Sequence, residues 1–344
     1  YAFAVVAVWM AFLYRQSGKM RYSLFCGINM ALAVIFKQNC LIVFVGIVVF
    51  YFMHLITDRT PGKQEKLKMT GNLIVVTVLT FTISSIPTAY ISSHLQVEPG
   101  AGNTKWAHIA MGLQDTESAP GWYNTYNEAT FVENNYDTHA TAKVSQDNIK
   151  ESLRHFAADP EYAWSFFNRK WAILWNNPTF ECFTLQSNKV SNVELSPLVK
   201  STIFDGGKIN ILLIAFFDVC QSVYLFGILM YLITEKKAGI GELLPFLLMI
   251  GAFVFWTFWE TKCRYVLPYF LFVMPYSVIG YCNLLRQWKC KIVRASLGVI
   301  VALILLMNVS NFSIMNESMK INNDTEEYYE YIHEYNKNFM NFRY

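Results

Sequence analysis

Three charged side chains crowd into one short stretch of an otherwise apolar sequence. Residues 256–269 read Trp256-Thr-Phe-Trp259-Glu260-Thr-Lys262-Cys-Arg264-Tyr-Val-Leu-Pro268-Tyr269, so Glu260, Lys262 and Arg264 stand at alternate positions. An arginine there can grip a phosphate through two parallel N–H bonds. A carboxylate beside it could orient the guanidinium or accept from a sugar hydroxyl. The plainer alternative is a local Glu260–Arg264 ion pair that anchors two helix ends. Lys37, in Phe36-Lys37-Gln38-Asn39, could hold a phosphate as a point charge or snorkel to lipid headgroups. His108, in Trp106-Ala-His108-Ile-Ala-Met-Gly112-Leu113, could donate a hydrogen bond or take a proton, or simply pack beside its tryptophan. Trp106 and Tyr123, the latter within Gly121-Trp122-Tyr123-Asn124, could stack on a sugar ring or fill the inside of a loop. Asp218 lies within the apolar run 212–226, with Gln221 three residues on. An ionisable group inside a span raises a functional suspicion, with an interhelical hydrogen bond as the plain alternative.

What these groups mean depends on the elements that position them. The chain has 344 residues, 54% hydrophobic and only 15% charged, against about 25% charged in an ordinary soluble domain. The deficit comes from long apolar runs, and a membrane-spanning helix needs roughly 17–25 mostly apolar residues. Candidate spans are 1–14, 22–36, 39–56, 72–92, 209–234, 243–259, 265–285 and 295–312. Backbone groups in lipid must be satisfied internally, so each is expected to be helical. The pair 22–36 and 39–56 is separated so briefly that a tight helical hairpin is expected. The chain opens without Met inside an apolar run; we expect that residues upstream of Tyr1 belong to the working protein.

Charge placement orients the spans. With Tyr1 outside, the inner connections hold Arg15, Lys19, Arg21, Arg59, Lys63, Lys66, Lys68, Lys236, Lys237, Arg286, Lys289, Lys291 and Arg294, while the two short outer ones hold only Lys37, Lys262 and Arg264. Positive residues concentrate on the cytoplasmic side, so this orientation is the expected one. It makes residues 93–208, about 115 in all, an extracytoplasmic loop domain, and puts the tail 313–344 outside as well. Within the loop, 94–140 reads as irregular. Ser145 is expected to cap a helix through Ile149, Leu153 and Phe156, and Asp159-Pro160 to open another. That second helix carries Trp164, Phe167, Trp171 and Trp175 near one face, suited either to the headgroup zone or to packing on other helices. The tail's acidic, aromatic run Glu326-Glu327-Tyr328-Tyr329 could form a surface helix.

Several chemistries find no support. The net charge of +3 is small and dispersed, which excludes a nucleic-acid partner. The cysteines Cys26, Cys40, Cys182, Cys220, Cys263, Cys282 and Cys290 form no Cys-x-x-Cys pair, so neither a disulfide framework nor a zinc site is expected. There is no Gly-rich phosphate loop, no His-x-x-x-His pair and no Gly-x-Ser-x-Gly elbow.

Three passages resemble the C-terminal part of the GT-C membrane glycosyltransferases, specifically bacterial proteins similar to protein O-mannosyltransferases (the family 39 type). They are Gly27 to Lys37, a helix ending at an outward lysine; Trp106 to Leu113 with Gly121 to Asn124; and Trp259 to Pro268 leading into Pro275. The resemblance covers most of the chain. It implies an all-α polytopic membrane protein with one large, mostly helical extracytoplasmic loop domain, in a bacterial plasma membrane. It implies a polyprenyl-phosphate sugar donor, entering from among the membrane lipids, and a glycan or protein acceptor on the outer face. Arg264, Lys37 and Lys262 would bind the donor phosphate, and Glu260, His108, Trp106 and Tyr123 would line the sugar or acceptor pocket. The catalytic carboxylate, a base or a link to a divalent metal, would lie upstream of Tyr1, leaving these residues inactive alone. Rival readings are a transporter or flippase for a lipid-linked glycan, which predicts charges paired across spans or inverted repeats with broken helices, and a non-catalytic membrane scaffold that presents the loop.

Overall fold

The apolar runs fold as helices, and the breaks between them fall where charge, Gly or Pro interrupts the pattern. The structure is a computed structural model that describes residues 1–57, 63–96, 98, 100–116, 119–183, 195–204, 207–235, 239–287, 294, 297–299, 301 and 302. Among them there is no strand, and the fold is all-α. The expected span 295–312, apart from a few of its residues, and the tail 313–344 lie outside the described residues. The helices are α1 (Ala2–Ser17), α2 (Met20–Phe36), α3 (Leu41–Thr57), α4 (Lys63–Leu95), α5 (Lys105–Gly112), α6 (Tyr126–Glu133), α7 (Thr138–Ala158), α8 (Pro160–Trp175), α9 (Pro197–Ile203), α10 (Lys208–Thr234), α11 (Ile240–Phe258) and α12 (Leu267–Arg286).

Three helical stretches are long and apolar enough to cross a membrane: Lys66–Leu95, α10 (Lys208–Thr234) and Leu267–Arg286. At about 1.5 Å per residue the last of these spans roughly 30 Å, the thickness of a bilayer's hydrocarbon core. Ala2–Ser17, Met20–Phe36, Gln38–Met53 and Glu242–Phe258 are apolar but shorter. Large apolar side chains face outward along these helices. On α10 alone Leu212, Phe216, Leu232 and Ile233 are all more than half exposed.

The chain divides into two compact units. The first comprises 1–174, 237–261 and 268–273, and the second 175–236, 262–267 and 274–344. The stretch 93–208 is therefore divided between them after Leu174. In the first unit α2 packs against α1 and α4, while α3 packs chiefly against α11. The expected hairpin of α2 and α3 is tight in sequence, with a single 3-10 turn at Gln38–Cys40, yet the two helices find their main partners elsewhere. The Tyr51 hydroxyl donates to the Ala11 carbonyl at 3.1 Å and joins α3 to α1. Tyr51, Phe50, Ile47 and Met30 are almost wholly buried, where close packing between helices supplies many small dispersion contacts.

The loop helices depart from the sequence expectation in two places. Residues 94–140 are not irregular throughout, since they hold α5 and α6. Thr104 caps α5 by accepting from the Trp106 N–H. Helix α7 also starts well before Ser145. Asp137 accepts from the His139 and Ala140 N–H groups at 2.7 and 2.9 Å, taking two of the amides that a helix start leaves unpaired. Ser145 is buried within the helix and donates to the Thr141 carbonyl. The expected start of α8 is correct: Pro160 is its first residue, and Asp159 accepts from the Tyr162 N–H at 2.9 Å. Phe156, Phe166 and Leu113 form a shared cluster that ties α5, α7 and α8 together.

In the second unit Asn210 donates to the Thr202 carbonyl and fastens α10 to α9. Helices α10 and α12 approach closely. The Ser277 hydroxyl donates to the Tyr224 carbonyl at 2.9 Å, and the Tyr281 hydroxyl donates to that of Val223. Gln221 donates to the Trp175 carbonyl at 2.7 Å, a plain hydrogen-bonding role for the residue three positions from Asp218.

Candidate functional site

The site is built around a lysine on α8. The buried side chains of this helix are Phe166, Lys170 and Leu174, a stripe at the i, i+4, i+8 spacing of one helix face. Lys170 is fully buried. Its ammonium donates to the Gly112 carbonyl and, at 2.7 Å, to that of Trp259. Gly112 ends α5 and Trp259 follows α11, so one cation serves the carbonyls of two helix C-termini. Each of those ends carries partial negative charge. Burial draws the Lys170 ammonium down to about 7, with the Glu260 carboxylate working against that shift.

Close backbone approaches make room for this cation. A Cβ on Gly112 would lie 2.6 Å from the Trp259 carbonyl carbon. Gly121 has φ 69°, in the left-handed region, and a Cβ there would lie 2.6 Å from both the Gly112 oxygen and Lys170 Nζ. Only glycine fits that conformation and that gap. The Thr261 N–H donates to the Gly121 carbonyl at 2.7 Å, and its hydroxyl donates to that of Pro120 at 2.7 Å. The passages beginning at Trp106, Gly121 and Trp259 thus meet in one hydrogen-bonded cluster.

Glu260 and His108 belong to it. Glu260 is 8% exposed, and its charge acts on Lys170 and on His108. The His108 ring stacks on Trp259 at 5.3 Å and 11°, and its Nδ1 is buried without a hydrogen-bond partner among the described residues. Burial holds its pKa below the ordinary value, with Glu260 opposing. The cluster therefore offers a carboxylate, a neutral imidazole and a desolvated ammonium. A carboxylate this buried first serves as a counter-charge to Lys170, because buried charges persist only when compensated.

Arg264 and Lys262 fall in the second unit. There Glu181, 6% exposed, accepts from the Cys263 N–H at 2.9 Å. Its other oxygen stands 3.9 Å from Arg264 Nε. Arg264 thus pairs with Glu181. Its two Nη groups donate to no described residue, and about a third of the side chain is exposed, which leaves a planar fork open to an anion. Burial, with the Glu181 carboxylate adding, pushes the Cys263 thiol up, so it stays protonated and unreactive. Lys262 is partly exposed, in extended backbone before the 3-10 turn Cys263–Tyr265.

The remaining expected residues lie in the first unit but do not converge. Trp106 is 44% exposed on α5. The Tyr123 hydroxyl donates to Glu128 at 2.8 Å. Lys37 stands after α2 with its Nζ 5.1 Å from the Tyr1 ring centre. The α8 aromatics are divided: the Trp171 indole donates to Thr257 at 2.9 Å and its ring lies tilted against Phe253 at 5.4 Å, whereas Trp164 is 67% exposed. Packing on α11 accounts for the first and not for the second. Among the described residues no group of three or more His, Cys, Asp or Glu side chains could hold a metal ion. Sequence reasoning missed Lys170 and Glu181. For Lys170 a signal existed, a lysine spaced four residues from both Phe166 and Leu174. Comparison with protein-family models, with curated proteins and with solved structures finds no match for this chain.

Proposed function

We propose that this chain belongs to a multi-pass membrane glycosyltransferase that moves a sugar from a polyprenyl-phosphate donor to an acceptor on the outer face. The observation that carries the reading is the convergence of the Trp106, Gly121 and Trp259 passages, which bear the resemblance to GT-C enzymes, on one bonded cluster. Membrane placement rests on the apolar exteriors of α4, α10 and α12 together with the Lys and Arg asymmetry between connections. Arg264 follows the cluster directly in sequence, and its Nη groups donate to no described residue. As the sugar departs, negative charge grows on the leaving phosphate, and a guanidinium that stands 3.9 Å from Glu181 through its Nε can answer it with its Nη groups. The resemblance also assigns Lys37 and Lys262 to the donor phosphate and Trp106 and Tyr123 to the sugar or acceptor; of the residues assigned to that side, the cluster brings together Glu260 and His108. In the family, the base is a carboxylate of the first outer loop.

The test is turnover of a radiolabelled polyprenyl-phosphate sugar by the full-length protein in detergent or vesicles. Arg264→Ala is expected to lower turnover about tenfold or more, the value of a lost charge-assisted pair, while the yield of folded protein is retained. Unchanged turnover would remove Arg264 from the site, and absence of transfer by the wild-type protein with any such donor would remove the glycosyltransferase reading.

A further inference from the structure

A separate cavity of about 440 Å³ lies in the first unit, where the turn after α2 meets the second half of α4 and the start of α5. Its volume is within the ~300–1,000 Å³ range of small-molecule sites. Ile35, Leu41 and Phe81 give it apolar walls, and Gln38, Thr88 and Lys105 give it polar groups. These three side chains bond to no described residue, so an ammonium, an amide and a hydroxyl remain available as donors. Among the described residues no carboxylate lines the cavity. The other hydroxyls on the wall, Ser84 and Ser85, donate to the helix's own Phe81 and Thr82 carbonyls. Pro87, also on the wall, lacks an N–H, so α4 continues through this point with one helical hydrogen bond fewer.

Lys105 is the telling residue. It is the first residue of α5, where the helix dipole opposes a cation. It is exposed and has no acidic partner among the described residues. A lysine placed against the dipole, unpaired, on the wall of a cavity without acids is suited to a negatively charged guest. Three free donors match an anion with several oxygens, and the apolar wall matches a hydrocarbon chain.

We infer that this cavity binds a lipid phosphate, with the phosphate at Lys105, Gln38 and Thr88 and the chain along Ile35, Leu41 and Phe81. The inference rests on the membrane placement of α2–α4 and not on sugar transfer. The chemistry is shared by a lipid headgroup and by free phosphate, and the probes separate the two. Full-length protein purified in detergent is titrated calorimetrically with geranyl phosphate, with geraniol and with inorganic phosphate. Geranyl phosphate is expected to bind saturably and to weaken about tenfold or more in Lys105→Gln. Geraniol binding is expected to be unaffected by that change, and inorganic phosphate should not displace geranyl phosphate at equal concentration. Lys105→Arg should retain binding, and Thr88→Trp, which fills the cavity from an exposed position, should block both amphiphiles. Unchanged geranyl phosphate binding in Lys105→Gln overturns the inference. So does equal weakening in the control Lys143→Gln, or displacement by inorganic phosphate alone. If binding through Lys105 holds and no glycosyl transfer is found, the cavity stands and the glycosyltransferase reading falls.

Discussion

Replacing Lys170 by Met keeps the length of the side chain and removes its charge and both hydrogen bonds. Two effects of opposite sign follow, and pH separates them. The folded ammonium titrates near 7 and an unfolded one near 10.5. Between those values the unfolded chain holds a proton that the folded chain releases. Wild-type stability therefore rises with pH across the window, by up to about 1.4 kcal/mol per unit. Below the window both states are protonated and the term is constant. The variant lacks this slope, and it leaves the Gly112 and Trp259 carbonyls without their donor, at about 1–3 kcal/mol each. At the alkaline end the neutral amine still donates both bonds with no charge to desolvate. There the variant should be weaker by about 2–6 kcal/mol. Toward neutrality the difference should shrink by several kcal/mol as the wild type takes up its buried charge. Unfolding midpoints of both full-length proteins in detergent, measured across the window, read the difference directly. A difference that stays constant with pH, or that widens toward acid, would refute the reasoning and show that Glu260 and the two helix ends keep Lys170 fully charged.

Two further outcomes are expected. A Cβ on Gly280 would collide with the Gly227 carbonyl oxygen and lie 2.7 Å from the Tyr231 nitrogen, so Gly280→Ala should destabilise by about 1–3 kcal/mol or more. Gly251→Ala, whose Cβ would meet only Ile42 at 3.6 Å, is the comparison and should leave the unfolding midpoint in place; equal midpoints for both variants would contradict the packing of α10 on α12. Burial lowers the His108 pKa, so on acidification the unfolded chain takes up this proton first. Stability should fall as pH drops from 6.5 through the folded value, and His108→Phe should be less acid-sensitive over that range; identical acid profiles would count against a buried neutral imidazole.

The start of α8 was legible because Asp159 and Pro160 act locally, one as an acceptor for a free amide and the other through its fixed φ. The start of α7 was not, because its first turns carry Thr138, His139 and Lys143 and show no apolar period before Ile149. Asp137 caps it without any hydrophobic signal. Lys170 escaped notice because the large aromatics on α8 draw the eye to the Trp164–Trp171 face, whereas the face that is buried turns on a charged residue. The outward basic stretch at Lys262 and Arg264 was visible from the charge pattern alone. Its acidic partner was not: Glu181 and Cys263 are 82 positions apart, and nothing in the spacing of one sequence ties them together.

The ammonium of Lys170 reaches a carbonyl 89 positions further along the chain, and Thr261 reaches back 141 positions to Pro120. During synthesis α5 to α8 therefore emerge long before their last supports exist. At about 5–20 residues per second, several seconds pass before α11 and the Trp259 turn follow. Through that interval Lys170 has only one of its two carbonyls and remains solvated, and the Gly121 carbonyl waits for an amide not yet made. The loop thus completes its folding only when a later helix is in place, so chaperone demand and protease sensitivity should concentrate on chains arrested between Trp175 and Thr261.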